Sequence, residues 1–257
     1  MSSQTLAGRR ILVTRGAKQA PRLSDGLRAL GAVPVEVPVI EIRPIAPTLG
    51  LDLALPQLDS YDWILFTSTN SVQIFVDRAV LLGISLSQLK AQVAAVGKAT
   101  AQAAENAGLD VAVTPMEYVA ENLISVLAER VAGKRVLLAR AVIARDLIPD
   151  SLRALGSQVD VVNLYRNVLP EAAPMQLRAA VEQGIDAATF TSSSSVTHLA
   201  EAARAAGLSF PFLNVAAISI GPITSQTLRD LNWPPAAEAT PHDIPGLIAA
   251  IFKVLGV

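Results

Sequence analysis

Short apolar runs alternate with amphipathic stretches along most of the chain. Arg10-Ile11-Leu12-Val13-Thr14 has the length and character of a strand. The stripe Leu23, Leu27, Leu30 that follows has helical spacing and stops at Gly31. Val33 to Val39 reads as a strand, which Pro34 and Pro38 confine to an edge or an extended linker. Trp63-Ile64-Leu65-Phe66 predicts a buried strand, after which Thr67-Ser68-Thr69-Asn70-Ser71 opens a helix to about Leu82. Val93 to Val96 predicts a strand, Gly97 a turn, and Thr100 to Ala107 a helix closed by Gly108. Leu109 to Val113 and a helix near Ala120 to Val131 complete the series. Strands separated by single helical segments predict parallel sheets with helices on both faces.

The pattern repeats. Gly8-Arg9-Arg10-Ile11-Leu12-Val13-Thr14-Arg15 matches Gly133-Lys134-Arg135-Val136-Leu137-Leu138-Ala139-Arg140, 125 residues later. Leu27-Arg28-Ala29-Leu30-Gly31 returns as Leu152-Arg153-Ala154-Leu155-Gly156 at the same separation. Phe66-Thr67-Ser68-Thr69-Asn70-Ser71-Val72 matches Phe190-Thr191-Ser192-Ser193-Ser194-Ser195-Val196, now 124 residues apart. Gly97-Lys98-Ala99-Thr100 aligns with Gly221-Pro222-Ile223-Thr224 at that separation too. Four blocks in order indicate a duplicated domain, with a period far too long for a solenoid.

Composition narrows the chemistry. With 21 basic and 22 acidic residues in 257, the chain has no basic field for nucleic acid and no polybasic surface for anionic lipid. The absence of cysteine excludes a disulfide scaffold, a thiol nucleophile and thiolate-ligated zinc or iron–sulfur. Two histidines, His198 and His242, leave little room for a His-rich metal site or a His-based triad, and both read as solvated residues. No stretch reaches eighteen apolar residues, and Met1 to Arg10 lacks the pattern of a signal peptide, so a cytoplasmic location is expected.

The chemistry left to the chain uses hydroxyls, basic groups and backbone amides. In each half a buried strand ends in hydroxyl residues that begin a helix. N-capping explains Ser, Thr and Asn there; a carboxylate or phosphate site on the first-turn amides explains them equally. Gly97 and Gly221 mark a second strand-to-helix turn, where glycine allows close approach of a ligand or a left-handed turn. Neither block resembles a Walker loop or a GxGxxG fingerprint. Arg15 and Arg140 each end a first strand, where a guanidinium can hold a carboxylate in bidentate fashion or lie in solvent. Tyr165 occupies the repeat position of Ile40, which suggests that one copy acquired a phenol.

Taken in order, Ile11-Leu12-Val13-Thr14-Arg15, Thr67-Ser68-Thr69-Asn70-Ser71-Val72, Ala95-Val96-Gly97-Lys98-Ala99-Thr100, Leu164-Tyr165-Arg166, Thr191-Ser192-Ser193-Ser194 and Ile220-Gly221-Pro222-Ile223-Thr224 resemble the uroporphyrinogen-III synthase family. The resemblance implies a cyclase that uses no cofactor and acts on hydroxymethylbilane, a linear tetrapyrrole bearing acetates and propionates. Loss of the terminal hydroxyl as water gives an azafulvene, which attacks ring D at its substituted position. Fragmentation of the spiro intermediate and reclosure invert ring D. By resemblance Tyr165 matches the tyrosine that assists loss of hydroxide. Thr67, Ser68, Asn70, Ser71, Lys98, Thr191, Ser192, Ser193, Gly221 and Thr224 match substrate-lining blocks, with Arg15 and Arg140 as further candidate ligands. Many relatives carry Arg-Gly and Gly-Arg after the mid-chain strand, whereas this chain has Arg140-Ala141-Val142-Ile143-Ala144-Arg145.

The implied fold is two similar flavodoxin-like α/β/α domains with parallel sheets, joined by a two-stranded linker, with the active site in the cleft between them. One domain is expected from residues 1–37 and 170–257, the other from 40–166, with 37–44 and 162–170 as the paired linker. The resemblance also implies a monomer with a possible transient contact to the preceding deaminase. The alternatives are a two-lobed protein that binds a small anion, and an inactive paralogue with the same fold.

Overall fold

The computed structural model describes residues 5–45, 49–87, 89–115 and 120–256. Residues 1–4 and 257, at the ends of the expected first domain, lie outside the described residues, as do 46–48, 88 and 116–119 in the expected second. The chain forms two compact units: unit one is Met1–Glu41 with Asn167–Val257, and unit two is Ile42–Arg166.

The chain starts in unit one with β1 (Arg10–Val13), α1 (Ala20–Ala29) and β2 (Val33–Glu36). Both faces of β1 are buried, with Ile11 and Val13 in one core cluster and Leu12 in another. α1 turns Ala20, Leu23 and Leu27 inward and ends before Gly31, whose φ of +81 only glycine adopts readily. β2 stops at Glu36, three residues short of the expected Val39. Val37 and Val39 still donate to the carbonyls of Val13 and Thr14, but Pro38 between them has no N–H.

Unit two follows with β3 (Glu41–Pro44), α2 (Leu49–Ala54), a 3-10 turn (Leu55–Ser60), β4 (Trp63–Phe66) and α3 (Thr69–Leu81). It continues through β5 (Gln92–Ala95), α4 (Lys98–Asn106), β6 (Val111–Val113) and α5 (Ala120–Leu127). β7 (Arg135–Ala141), α6 (Leu147–Ala154) and β8 (Gln158–Val168) complete it. Among the described residues the sheet has the order β3-β8-β7-β4-β5-β6, and neighbours from β8 to β6 pair in parallel. Ile64 and Phe66 face α3 and Phe75 on one side, while Trp63 and Leu65 face Leu123, Leu127 and Leu152 on the other. α5 ends four residues before the expected Val131, because the chain tightens there: Arg130 N–H bonds the Leu127 carbonyl.

The chain then re-enters unit one as α7 (Ala173–Glu182), β9 (Ala187–Phe190), α8 (Ser193–Ala205) and β10 (Ala216–Ser219). It closes with α9 (Pro222–Asp230), β11 (Ala237–Glu238) and α10 (Ile244–Leu255). The sheet order is β2-β1-β9-β10-β11, parallel throughout. Progression along the sheet reverses between β1 and β9, as it does between β7 and β4 in unit two.

Each of these two central pairings is fastened by an aspartate at the amino edge. The Asp186 carboxylate accepts from Arg10 N–H at 2.8 Å and Arg9 Nη1 at 3.0 Å, joining β9 to β1. The Asp62 carboxylate accepts from Arg135 N–H at 2.9 Å and Lys134 Nζ at 2.9 Å, joining β4 to β7. These hydrogen bonds, the backbone one foremost, hold the Asp62 carboxyl below the usual carboxylate range.

Candidate active site

In open parallel sheets, ligands favour the carboxyl edge where strand order reverses. In unit two that edge carries Thr67 and Ser68 after β4, and Arg140 near the end of β7. Ser68 is extended, at φ −160 and ψ 159, and caps α3. Its Oγ accepts from Ser71 N–H at 3.1 Å, while Ser71 Oγ accepts from Ser68 N–H at 3.2 Å. This reciprocal box satisfies two donors that a helix start leaves free. Ser71 is buried; Thr67, Ser68 and Asn70 are half-buried.

Tyr165, in β8, meets this helix start. Its Oη lies 2.8 Å from Ser68 Oγ, and the residue is 5% exposed. The ring packs in the core cluster with Val162 and Leu164 and leaves its polar end at the cap. Lys98, the first residue of α4, is exposed beyond Gly97. Gly97 has an extended φ of −151, so the left-handed option does not apply there.

Arg140 is nearly buried and turned onto its own loop. Nη2 donates to Asp146 Oδ1 at 2.7 Å and Nη1 to the Arg145 carbonyl at 3.2 Å, while Nε has no partner among the described residues. Arg145 points elsewhere, pairing with Glu121 of α5 at 3.2 Å.

The equivalent edge of unit one carries Arg15 after β1 and Thr191, Ser192 and Ser193 after β9. Ser192 and Ser195 form the same capping box on α8, with Ser195 N–H 3.2 Å from Ser192 Oγ. Ser193 Oγ accepts from Thr227 Oγ1 at 2.8 Å, which ties α8 to α9. Gly221 and Thr224 are buried at the start of α9, and Gly221 is extended at φ 177. Arg15 is half-buried; among the described residues its Nη2 donates to Gln19 Oε1 at 3.3 Å and its buried Nε has no partner. Burial, and secondarily the charge of Arg22, push its pKa below the ordinary arginine value. Among the described residues no carboxylate pairs with this cation, and a ligand carboxylate would supply the counter-charge.

His198 differs from its reading as a solvated residue. It is half-buried, and its Nδ1 lies 2.8 Å from the Val39 carbonyl. His242 is exposed, with Nδ1 2.8 Å from the Ala239 carbonyl. Among the described residues no three His, Cys, Asp or Glu side chains gather as metal ligands, and no helix is long and apolar enough to cross a membrane. Two cavities, of about 330 and 560 Å³, open at the amino edges of the sheets and contain none of the candidate site residues. Sequence reading missed Asp146 as the partner of Arg140; its position directly after Arg145 was the available signal.

Residues 21–249 match the family described as Uroporphyrinogen-III synthase HemD. The chain belongs to the uroporphyrinogen-III synthase family. A curated uroporphyrinogen-III synthase of Synechococcus elongatus is 33% identical over 256 residues, covering 98% of this chain and 97% of its own. The porphyrin biosynthesis protein HemD of Ruminiclostridium josui is 35% identical over 230 residues; the match covers 88% of this chain and 45% of that longer protein. A crystal structure of a mutant uroporphyrinogen III synthase from Thermus thermophilus superposes with a TM-score of 0.70 at 21% identity, over 96% of this chain and 99% of that one. That likeness shows a shared α/β fold with parallel sheets.

Proposed function

We propose that the chain is a uroporphyrinogen-III synthase of tetrapyrrole and heme biosynthesis, a hydro-lyase that cyclises hydroxymethylbilane with loss of water and inversion of ring D. Within this family the observation that carries the reading is the Tyr165 phenol, held 2.8 Å from Ser68 Oγ at a helix start on the carboxyl edge. A phenol there can give its proton to the departing hydroxyl. The pyrroles supply the electrons for ring closure, so the protein's task is to hold a polyanion in one folded geometry.

The paired helix starts suit that task. The first-turn amides that follow Ser68 and Ser192, the hydroxyls of Thr67, Thr191, Ser193 and Thr224, the Gly221 backbone and the Lys98 ammonium lie at the carboxyl edges, and Arg15 brings an under-satisfied guanidinium. Arg140 serves by bracing the loop after β7 through Asp146. We further propose that the units are duplicated flavodoxin-like domains, with the linker segments 37–44 and 162–170 acting as a hinge and the bilane held between the two edges. In this reading the protein works as a cytoplasmic monomer without a resident cofactor, receiving its unstable substrate from the preceding deaminase.

The site is tested by the rate at which isomer III forms from freshly generated hydroxymethylbilane. Tyr165→Phe is expected to be slower by about 10²–10⁴-fold, with stability lowered by only about 1 kcal/mol for one lost hydrogen bond. An unchanged rate assigns Tyr165 to packing.

A further inference from the structure

We infer that Ser68 is a positioning residue for Tyr165: its hydroxyl proton turns onto the phenol oxygen as that oxygen surrenders its own proton to the substrate. The inference rests on Tyr165 being the acid of the proposed function. It gives Ser68 a role other than contact with the bilane.

The hydrogen-bond inventory around Ser68 leads to this role. Ser68 Oγ has one proton and two lone pairs. One lone pair is taken by Ser71 N–H at 3.1 Å. The neighbouring Ser71 hydroxyl has its proton committed to the Ser68 carbonyl at 2.7 Å. Two acceptors therefore remain for the Ser68 proton: Ser71 Oγ at 3.3 Å and Tyr165 Oη at 2.8 Å. The first is long for an O–H···O bond and the second is ordinary. At rest the phenol, the stronger acid, donates to Ser68 Oγ, and the serine proton rests on the long contact. With the bilane bound, rotation about the Tyr165 Cζ–Oη bond turns the phenolic proton from Ser68 Oγ onto the bilane's terminal hydroxyl. As the phenolic O–H bond breaks, the proton joins that hydroxyl. That oxygen leaves as water with the C–O electron pair, and the cation stays on the azafulvene. Rotation about the Ser68 Cβ–Oγ bond then places a donor on the phenolate. The proton lost from ring D at final closure returns to Tyr165, so each cycle balances.

Two further features point the same way. The amides of the first turn of α3, a helix of 13 residues, lie behind Ser68, so negative charge on Tyr165 Oη falls at the favourable end of that dipole. The second feature is the difference between the units. Ser192 and Ser195 reproduce the capping box, but the repeat counterpart of Tyr165 is Ile40, and unit one contains no tyrosine in its sequence. Capping alone therefore accounts for the serine in one unit, while in the other the same atom also reaches a phenol.

The test uses the full chain and four variants, Ser68→Gly, Ser68→Thr, Tyr165→Phe and the Ser68→Gly/Tyr165→Phe pair, each assayed for kcat and KM in forming isomer III. Glycine removes the hydroxyl yet remains an acceptable N-cap, so the helix start is kept. Ser192→Ala, read by melting alone, calibrates what losing such a cap does to folding. Ser68→Gly is expected to lower kcat about 10–100-fold at unchanged KM, the size of one hydrogen bond to a developing charge. Ser68→Thr restores the rate to within a few-fold, and removing Ser68 costs nothing further once Tyr165 is Phe. A raised KM at unchanged kcat, or losses that multiply in the double variant, would overturn the inference. A slow Tyr165→Phe beside a wild-type Ser68→Gly overturns it alone. A Tyr165→Phe enzyme of wild-type rate removes the acid assignment and the inference with it.

Discussion

The residues at the two carboxyl edges differ in how completely their polar groups are satisfied. Ser68, Ser71, Ser192 and Ser195 are closed in reciprocal boxes, and Arg140, whose Nε likewise has no partner among the described residues, has both terminal nitrogens bonded and its charge paired with Asp146. Arg15 has a buried Nε with no partner among the described residues, no paired carboxylate among them, and a pKa lowered first by burial. A buried donor without an acceptor weakens the folded state and strengthens a ligand that completes it. Arg15→Met keeps most of the apolar stem and removes the orphaned charge. The ligand-free variant is expected to melt no lower than wild type, while KM for the bilane rises about tenfold, the effect of losing one charge-assisted bond. Lower melting at unchanged KM would make Arg15 a structural residue.

At the scale of elements, the joint between β7, β8 and the turn before β4 is held by Tyr61, Arg135 and Asp160. Tyr61 Oη donates to Asp160 Oδ2 at 2.8 Å, and the Arg135 guanidinium lies 4.4 Å from the Tyr61 ring centre. Burial first, and then the hydrogen bond to Asp160, push the phenol up to about 12. A folded-state value above the ordinary one means that the joint contributes fully below about pH 10. Its contribution is lost as pH rises through about 12. Urea midpoints should therefore fall across that window, and Tyr61→Phe should remove part of the decline. An equal decline in the variant would place its origin elsewhere.

The same joint shows what a sequence can and cannot disclose. Trp63–Phe66 was legible to the residue, because a strand buried on both faces is an uninterrupted apolar run. The helix starts at Thr69 and Ser193 were legible from their hydroxyl clusters, which the caps require. Tyr61 with Asp160, and His198 with Val39, were not legible, since those partners are brought together by strand order across 99 and 159 residues. Element ends also escaped: β2 stops short of Pro38, which breaks the ladder, and α5 stops where its last turn tightens. Among the candidate site residues, the type of each and its place at a strand end were readable. The bond from Tyr165 to Ser68 was not, because it depends on β8 lying beside β7 and β7 beside β4.

For the whole molecule, each sheet pairs the first strand of one repeat with a later strand of the other: β1 with β9, and β7 with β4. Neither consecutive half of the chain contains both members of either pair. A fragment of residues 40–166 holds every strand of one sheet, short only of the last two residues of β8, so it is expected to unfold in a single cooperative transition, whereas residues 1–132 should expose apolar strand faces and aggregate. A well-folded 1–132 fragment would show that the cross-repeat pairing is not what stabilises the units. The most direct measurement of the proposed reaction gives the purified full-length protein freshly generated hydroxymethylbilane, with no added metal, nucleotide or flavin, and separates the uroporphyrin isomers after oxidation. Predominantly isomer III is the predicted result; isomer I alone, at protein concentrations that bind the bilane, would contradict it.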